Sequence, residues 1–202
     1  MKLSDIISIY LVRHGRTEAN DKRLYCGRTD LPLSEAGITE LIMLKNEGIY
    51  PAADIFFTSG LLRAEQTVDI IYGDVKRIAV PGIAEYNFGS FEMKSYEELK
   101  EQSDYQAWIS DLSGDVACPG GESRRGAEKR IMEGYAFILN IILNECRAGS
   151  RSVFISCHGG TITSVMERLM PGIKNFYEWQ PKPGRGYALN YALSEFLDYT
   201  VI

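Results

Sequence analysis

Short apolar runs recur along the chain, and each one stops at a polar or glycine-containing segment. The first covers residues 7–12, where isoleucine and leucine alternate with Ser8 and Tyr10. A short β-branched pattern of this kind is typical of a buried strand. Similar runs predict strands over residues 54–59, 76–80, 152–157, 187–193 and 195–202.

Between these runs, apolar residues recur every three to four positions, as they do on the buried face of a helix. Ser34 is a suitable N-cap for the first helix, which the pattern ends near Gly48. Further helices are predicted directly after the strand at 54–59, over about 95–108, over about 127–146 and over 161–170. Strands that alternate with helices indicate an α/β fold, with a sheet covered by helices on both faces.

Residues 83–115 depart from this alternation, because they are rich in Glu, Tyr and Ser. The segment Cys118-Pro119-Gly120-Gly121 follows them and is typical of a loop. We interpret residues 83–122 as a helical insertion that covers the ligand-binding edge of the sheet. On this interpretation residues 1–202 form a single domain, which the chain length and the 45% hydrophobic content allow.

Composition narrows the class of protein. The formal net charge of −5 is mild, and the chain has no basic run and no long apolar segment, so we expect neither nucleic acid nor a membrane as partner. The first residues lack an apolar core, and we expect no signal peptide. The four cysteines are scattered without a C-x-x-C pair, which favours reduced thiols in a cytoplasm. The sequence leaves the oligomeric state open.

Chemically matched side chains follow the ends of the predicted strands. Arg13-His14-Gly15 closes the first strand, and His158-Gly159-Gly160 closes the fourth. Arg63 and Glu85 follow the second and third strands. In open α/β sheets, ligands collect outside the carboxyl ends of the strands. We therefore expect these positions to share one site.

Two imidazoles and two guanidiniums at one sheet edge are suited to a phosphoryl group. The planar fork of arginine binds phosphate oxygens two at a time, and a neutral imidazole can attack phosphorus. Surrounding cations stabilise the negative charge of the transition state, and a carboxyl group can protonate the leaving oxygen. This scheme requires no metal, and the chain has only two histidines with which to build a His-rich zinc site.

Several of these residues also have a purely structural interpretation. Arg63 can equally be a surface residue of its helix, and Asn20 can simply end a turn. Glu18 and Glu92 are carboxylates that compete with Glu85 for the role of acid. Since most glutamates face water, spacing alone does not choose among the three.

Aromatic and basic residues near Glu85 bear on the substrate. Tyr86, Phe88 and Phe91 can stack on an aromatic substrate or simply wall the pocket. Arg124 and Arg125 can meet a second anionic group, although a solvated helix start is the commoner case.

The segment LVRHGRTEAN at residues 11–20 resembles the signature of the histidine phosphatase superfamily, which contains the cofactor-dependent phosphoglycerate mutases. Further blocks match in the family's order: LPLSEAG at 31–37, TSGLLRAEQT at 58–67, AEYNFGSFE at 84–92, GGES at 120–123 and SCHGG at 156–160. The resemblance implies a three-layer α/β/α fold with a mostly parallel central sheet, like that of the phosphoglycerate mutases.

The resemblance also implies roles for residues at matching positions. His14 takes the phosphoryl group as a phosphohistidine, and Glu85 protonates the leaving oxygen and later activates water. Arg13, Arg63 and His158 complete the catalytic set. Phosphate binding is implied for Arg13, Asn20, Arg63, His158 and Gly159. The family needs no metal or organic cofactor for hydrolysis.

Within the family, the short chain and the block FGSFEM at 88–93 look most like α-ribazole phosphatases and related broad-specificity phosphatases. We therefore expect a metal-independent hydrolase of a small phosphomonoester, with α-ribazole-5′-phosphate, and hence cobalamin biosynthesis, as the candidate. The alternatives are a cofactor-dependent phosphoglycerate mutase and a non-catalytic phospho-ligand-binding module. Arg16 departs from the family pattern, since many relatives carry Glu or Gln there.

Overall fold

The computed structural model describes residues 6–145, 151–192 and 195–202. Its strands are β1 (Ile6–Arg13), β2 (Ile55–Thr58), β3 (Ile78–Ala79), β4 (Arg151–Cys157), β5 (Gly186–Ala192) and β6 (Glu195–Val201). Within this part of the chain they form one sheet, in the order β3-β2-β4-β1-β5-β6. The predicted strands are present, although the third is limited to two residues.

Helices connect the strands and cover the sheet. They are α1 (Glu18–Asp21), α2 (Glu35–Asn46), α3 (Leu62–Tyr72), α4 (Tyr96–Leu99), α5 (Ser103–Ser110), α6 (Arg124–Glu145), α7 (Gly159–Leu169) and α8 (Phe176–Trp179). Of the described helices, none is both long and apolar enough to cross a membrane.

Some boundaries differ from the prediction. The helix expected over 95–108 is divided into α4 and α5, because Gln102 adopts an extended conformation between them. Helix α6 begins at Arg124, three residues early, because Ser123 Oγ accepts a hydrogen bond from the Gly126 amide (3.1 Å) and caps the helix. The predictions for residues 1–5, Cys146 and Leu193 lie outside the described residues.

Two short helices were not predicted, because a single turn has too few residues to show a hydrophobic period. A capping box between Thr17 and Asn20 caps the N-terminus of α1, and one between Asn175 and Glu178 caps the N-terminus of α8. Helix α7 starts at Gly159, two residues before the predicted start. Its N-terminal amides therefore lie at the end of β4.

Strand β1 lies in the middle of the sheet. It pairs in parallel with β4 on one side and antiparallel with β5 on the other. Strands β2, β3 and β4 are also mutually parallel, so the sheet is mostly parallel, as expected. The register pairs Arg13 with Cys157, so that β1 and β4 end level at one edge.

The two faces of the sheet bury separate hydrophobic clusters. On one face, Ile9 and Leu11 of β1 share a cluster with residues of α6 and α7 such as Ile131 and Val165. On the other face, Val12 belongs to a cluster with residues of α2 and α3. This alternation along β1 produces the predicted α/β/α layers.

The 83–122 segment contributes a smaller third cluster. Phe91, Leu99, Tyr105 and Cys118 are buried in it, and Trp108 packs against it. Phe91 is 1% exposed. Phe91 therefore supports this segment from inside, and is neither a stacking surface nor a pocket wall. The interpretation of the chain as one domain with an insertion stays a prediction.

Candidate active site

The two histidines lie side by side where β1 and β4 end. Since Arg13 and Cys157 are paired in the sheet, the next residues, His14 and His158, follow at the same level. The His14 amide donates to the Cys157 carbonyl (2.9 Å). The ring centroids are 5.1 Å apart and the rings are inclined by 59°. Residues far apart in the sequence are thus brought together by strand pairing alone.

The hydrogen bonds of His14 define its tautomer. Nδ1 lies 2.7 Å from the Gly15 carbonyl oxygen. A carbonyl can only accept, so Nδ1 carries the proton. On the other side of the ring, Arg63 Nε donates to Nε2 (3.2 Å). Both contacts place the lone pair on Nε2, which is the atom able to act as nucleophile.

His14 is also held in its neutral form. Burial lowers its pKa well below the usual value, and the positive charges of Arg63 and Arg13 lower it further, against a smaller opposing effect of the Gly15 carbonyl. An imidazole that resists protonation keeps its lone pair at neutral pH.

His158 is fully buried and has one unpaired ring nitrogen. Its Nε2 lies 2.7 Å from Ser59 Oγ, whereas Nδ1 is buried with no hydrogen-bond partner among the described residues. Ser59 Oγ also accepts from the Leu61 amide (3.3 Å), and its hydroxyl can either donate to Nε2 or accept from it. In the tautomer in which Ser59 donates, the neutral ring carries its proton on Nδ1. Burial, followed by the charge of Arg63, lowers the pKa of His158 well below its usual value.

Two guanidiniums face this site without a carboxylate partner among the described residues. Buried Arg63 donates through Nη2 to the Gly27 carbonyl (2.7 Å) and through Nη1 to the Thr29 carbonyl (2.9 Å). Arg13 donates through Nη1 to the Pro181 carbonyl (2.9 Å), and its buried Nε has no partner in the described part of the chain. Burial lowers the pKa of Arg13, while Glu85 acts in the opposite direction. Enclosed cations that lack an anion are suited to bind one.

Glu85 lies across the same site on the loop after β3. Its Oε2 accepts from the Gly160 amide at the start of α7, and its Oε1 accepts from the Tyr86 amide (both 3.0 Å). Arg130, which the sequence did not single out, holds this loop by donating to the carbonyls of Gly82 (2.8 Å), Ala84 (3.0 Å) and Glu85 (3.2 Å). The carboxylate is therefore positioned by backbone groups on both sides.

A cavity of about 290 Å³ joins these groups. Arg13, His14, Arg63 and Glu85 line it, together with Asn20. His158 lies beneath this lining. Neither Glu18 nor Glu92 lines the cavity, and exposed Glu18 forms an ion pair with Lys22. Of the three competing carboxylates, Glu85 is the one placed for chemistry.

Asn20 and Gly159 occupy different positions relative to the cavity. Asn20 Oδ1 accepts from the amide (3.0 Å) and hydroxyl (3.1 Å) of Thr17, so this residue has a structural task in the turn. The carbonyl closes a turn, and the Nδ2 amide remains as a donor. Gly159 does not line the cavity; a Cβ there would lie 2.5 Å from Gln180 Nε2. Their phosphate-binding roles stay predictions.

Six aromatic residues line another part of the cavity, here called the aromatic wall. They are Tyr25, Tyr86, Phe88, Trp108, Phe176 and Tyr177. Asp111 and Arg124 also line it, whereas Arg125 forms an ion pair with Asp115 outside it. Of the aromatic wall, the sequence had suggested Tyr86 and Phe88. Tyr25, Phe176 and Tyr177 come from segments without a motif or a period that could have revealed them.

The described residues contain no group of three or more His, Cys, Asp or Glu side chains arranged to hold a metal ion. Where β1 and β4 end, the site offers imidazole, guanidinium and the Glu85 carboxylate.

Comparison with known proteins assigns this arrangement to a family. The sequence profile of the histidine phosphatase superfamily (branch 1) matches residues 9–195. A 2,3-bisphosphoglycerate-dependent phosphoglycerate mutase of Xanthobacter autotrophicus is 31% identical over 84% of each chain. One from Nitrobacter hamburgensis is 32% identical over 81% of this chain and 82% of its own.

Solved structures share the fold. The α-ribazole phosphatase of Shigella flexneri superposes with a TM-score of 0.79 at 24% identity, covering 96% of this chain and 94% of its own. A phosphoglycerate mutase of Thermus thermophilus superposes with a TM-score of 0.67 at 26% identity, covering 96% and 99%. The α/β fold of this chain is thus the fold of these two structures. The chain belongs to the histidine phosphatase superfamily, branch 1.

Proposed function

We propose that this protein is a metal-independent phosphatase that hydrolyses a small phosphomonoester through a phosphohistidine at His14 Nε2. One observation carries the proposal. A neutral imidazole with its lone pair on Nε2 lies beside the guanidiniums of Arg13 and Arg63, which have no carboxylate partner in the described structure. The same cavity is lined by Glu85, which supplies the acid.

In the first step, the Nε2 lone pair forms a bond to phosphorus as the bond from phosphorus to the ester oxygen breaks. The protonated Glu85 gives its proton to that oxygen, which leaves as an alcohol. Arg63 transfers its Nε hydrogen bond from His14 to a phosphoryl oxygen, and Arg13 and His158 stabilise the remaining negative charge.

In the second step, the Glu85 carboxylate takes a proton from water as the water oxygen attacks phosphorus. The bond between phosphorus and His14 breaks, its electron pair returns to Nε2, and phosphate leaves. Glu85 is then protonated again, so the chain returns to its starting state without another reactant.

The aromatic wall favours a leaving group with a flat apolar part. Aromatic side chains pack against rings at offset or edge-on geometry. The benzimidazole nucleotide α-ribazole-5′-phosphate has such a ring, and residues 88–93 resemble the phosphatases that act on it. The proposal includes a cytoplasmic location, supported by free thiols at Cys26, Cys118 and Cys157.

The second candidate is a phosphoglycerate mutase, because the curated relatives at about 31% identity carry that name. A mutase returns the phosphoryl group to a small, highly anionic acid. Beyond the phosphoryl end, the cavity is lined by the cation Arg124, the anion Asp111 and the aromatic wall, a lining that favours hydrolysis of a less charged ester.

The proposal is tested by release of phosphate in the presence of EDTA. Substrates are p-nitrophenyl phosphate and a panel of alkyl, aryl and nucleoside phosphates that includes α-ribazole-5′-phosphate, and His14→Ala is the control. Trapping of acid-labile phosphate on the protein reports the intermediate.

Release by the wild type and not by His14→Ala supports the phosphatase, and the preferred ester identifies the substrate class. If phosphate is not released but 3-phosphoglycerate is isomerised after priming with 2,3-bisphosphoglycerate, the chain is a mutase. Binding of phosphate without either reaction supports the non-catalytic module.

A further inference from the structure

The carboxylate of Glu92 accepts hydrogen bonds from several segments at once. Its Oε1 accepts from the amides of Arg28 (2.9 Å) and Phe88 (3.1 Å). Its Oε2 accepts from the hydroxyl (2.7 Å) and amide (3.2 Å) of Thr29. The Gly27 amide contacts both oxygens, at 3.1 and 3.0 Å. Few surface glutamates are engaged in this way, so the residue has a specific structural task.

The loop at 27–29 uses its other backbone groups to hold Arg63. The carbonyls of Gly27 and Thr29 accept from Nη2 and Nη1 of that arginine, and its Nε reaches the nucleophile, His14. The amides of the loop are thus bound to Glu92 and its carbonyls to Arg63. A displacement of the loop would move the guanidinium that lies against His14.

The same carboxylate connects the loop to the segment that carries the acid. Glu92 binds the amide of Phe88, which lies three residues after Glu85. Gly27 packs so closely on this segment that a Cβ would collide with the Tyr86 carbonyl oxygen. Glu92 therefore ties the support of Arg63 directly to the support of Glu85.

Glu92 is suited to act as a permanent negative charge that holds the structure, and not as a group that transfers protons. Burial raises the pKa of its carboxyl, but the Thr29 hydroxyl and the amides of residues 27–29 outweigh burial and leave the pKa below its usual value. The group stays ionised at neutral pH, with its oxygens occupied.

We propose that Glu92 is a positioning residue that fixes the placement of Arg63 relative to Glu85 and so determines how tightly the phosphoryl group is held. It acts through the 27–29 loop, because it does not line the cavity. The inference rests on the proposed function in one respect, that the ligand of Arg63 is a phosphoryl group.

The test uses Glu92→Gln and inorganic phosphate as the probe, with binding measured by calorimetry. The amide nitrogen of glutamine cannot accept from the loop amides, so only one of the two acceptor oxygens of the side chain remains to bind the loop. We expect the Kd of phosphate to rise by about ten- to a hundredfold, by analogy with the loss found when a residue that orients a metal ligand is replaced. Glu98→Gln is the matched control, since Glu98 binds backbone and hydroxyl groups of Ser95 in an exposed cap away from the cavity.

A double-mutant cycle separates positioning from general loss of structure. If Glu92 acts through Arg63, Glu92→Gln has little further effect on phosphate binding once Arg63 is replaced by Lys or Ala. Equal losses of affinity in both backgrounds overturn the inference. Urea unfolding shows whether each variant is folded. If Glu92→Gln is not folded, Thr29→Val removes only the hydroxyl donor and is expected to shift the Kd in the same direction by less.

Phosphate binding does not require turnover, so the two proposals can fail separately. A wild-type chain that neither binds phosphate nor hydrolyses p-nitrophenyl phosphate overturns the proposed function and this inference with it. A Glu92→Gln variant that binds phosphate as the wild type does overturns the inference alone.

Discussion

Nε of Arg63 lies 3.2 Å from Nε2 of His14, and it is the guanidinium that donates. A cation that donates to an imidazole marks that nitrogen as the one with the lone pair and opposes its protonation. The same guanidinium is able to pass its hydrogen bond to an arriving phosphoryl oxygen. This contact therefore adds to burial in keeping the nucleophile neutral at rest, and in the proposed mechanism it is released when the substrate binds.

The lowered pKa values of the two histidines predict how stability depends on pH. In the folded protein the pKa of each histidine lies well below its usual value. In the unfolded chain the pKa returns to the usual value of about 6.5. Below that pH the unfolded chain binds protons that the folded chain does not. The stability from these groups is fully present above about pH 6.5 and is lost as pH falls through their folded pKa values, by up to about 1.4 kcal/mol per pH unit for each histidine.

Urea denaturation between about pH 7 and about pH 5 measures this slope, because these are the only histidines in the chain and few other groups titrate there. A His14→Gln variant is expected to show about half of the wild-type slope. An unchanged slope in that variant would contradict the assignment of a lowered pKa to His14.

Glu85→Gln is expected to separate the two chemical steps. Without the acid, hydrolysis of alkyl phosphates falls by about 10²- to 10⁴-fold, because the alkoxide must leave unprotonated. p-Nitrophenolate leaves readily without a proton, so the first step with p-nitrophenyl phosphate survives. Stopped-flow absorbance is then expected to show a burst of p-nitrophenolate stoichiometric with the enzyme, followed by slow turnover.

The matched control for Glu85 is Glu18→Gln, which removes an exposed carboxylate and its ion pair with Lys22. This variant is expected to keep the wild-type rates. If Glu85→Gln hydrolyses alkyl and aryl phosphates with the same modest loss, Glu85 is not the acid.

Ser59→Ala is expected to impair His158 without touching the cavity. The variant removes the hydroxyl that is hydrogen-bonded to Nε2, so the orientation of the His158 ring is no longer fixed. We expect kcat to fall by about tenfold, less than the roughly 10²- to 10³-fold cost of removing a donor to developing charge outright. Stability is expected to fall by about 1 kcal/mol through the lost buried hydrogen bond.

Ser156→Ala serves as the comparison for Ser59→Ala. Ser156 Oγ is buried without a hydrogen-bond partner in the described structure, so its removal costs no hydrogen bond there. Stability and kcat are expected to stay close to those of the wild type. Steady-state kinetics and urea midpoints are measured for both variants. Equal effects of the two substitutions on kcat and stability would argue against a special role for Ser59.

Tyr177→Ala tests the aromatic wall with little risk to folding, because this side chain is 72% exposed although it lines the cavity. KM for an aryl or benzimidazole-nucleoside phosphate is expected to rise by about three- to tenfold, the scale of one aromatic contact, while KM for a small alkyl phosphate stays unchanged. Phe137→Ala, an exposed aromatic residue of α6 outside the cavity, is the control. A uniform rise for all esters would exclude recognition of a ring by this wall.

Strand periodicity was sufficient to place His14 and His158. Each follows a short apolar run, and parallel pairing of the two runs brings the rings together. The family resemblance, the fold class and the membership of the superfamily are confirmed. The roles of the individual site residues stay predictions, although the structure brings Arg13, Arg63 and Glu85 to the same cavity.

What the sequence did not reveal depends on partners distant along the chain. Gly15, next to His14, is one example, because a Cβ there would lie 2.5 Å from Leu41 Cδ1 and the glycine therefore makes room for the packing of α2. Arg130 holds the Glu85 loop from the middle of a long helix, where nothing local distinguishes it from a surface arginine. Local patterns carry no information about such contacts.

The position of β1 between β4 and β5 has a consequence for biosynthesis. Arg13 is held by the segment that leads into β5, since its amide donates to the Arg185 carbonyl (2.9 Å) and its side chain to the Pro181 carbonyl (2.9 Å). A chain emerging from the ribosome carries the signature histidine early, yet it cannot close the reaction site until residues 181–186 have been made. Non-local pairing of this kind is slow relative to local helix formation. The time at which a refolding chain begins to bind phosphate would therefore report when its last long-range contacts form.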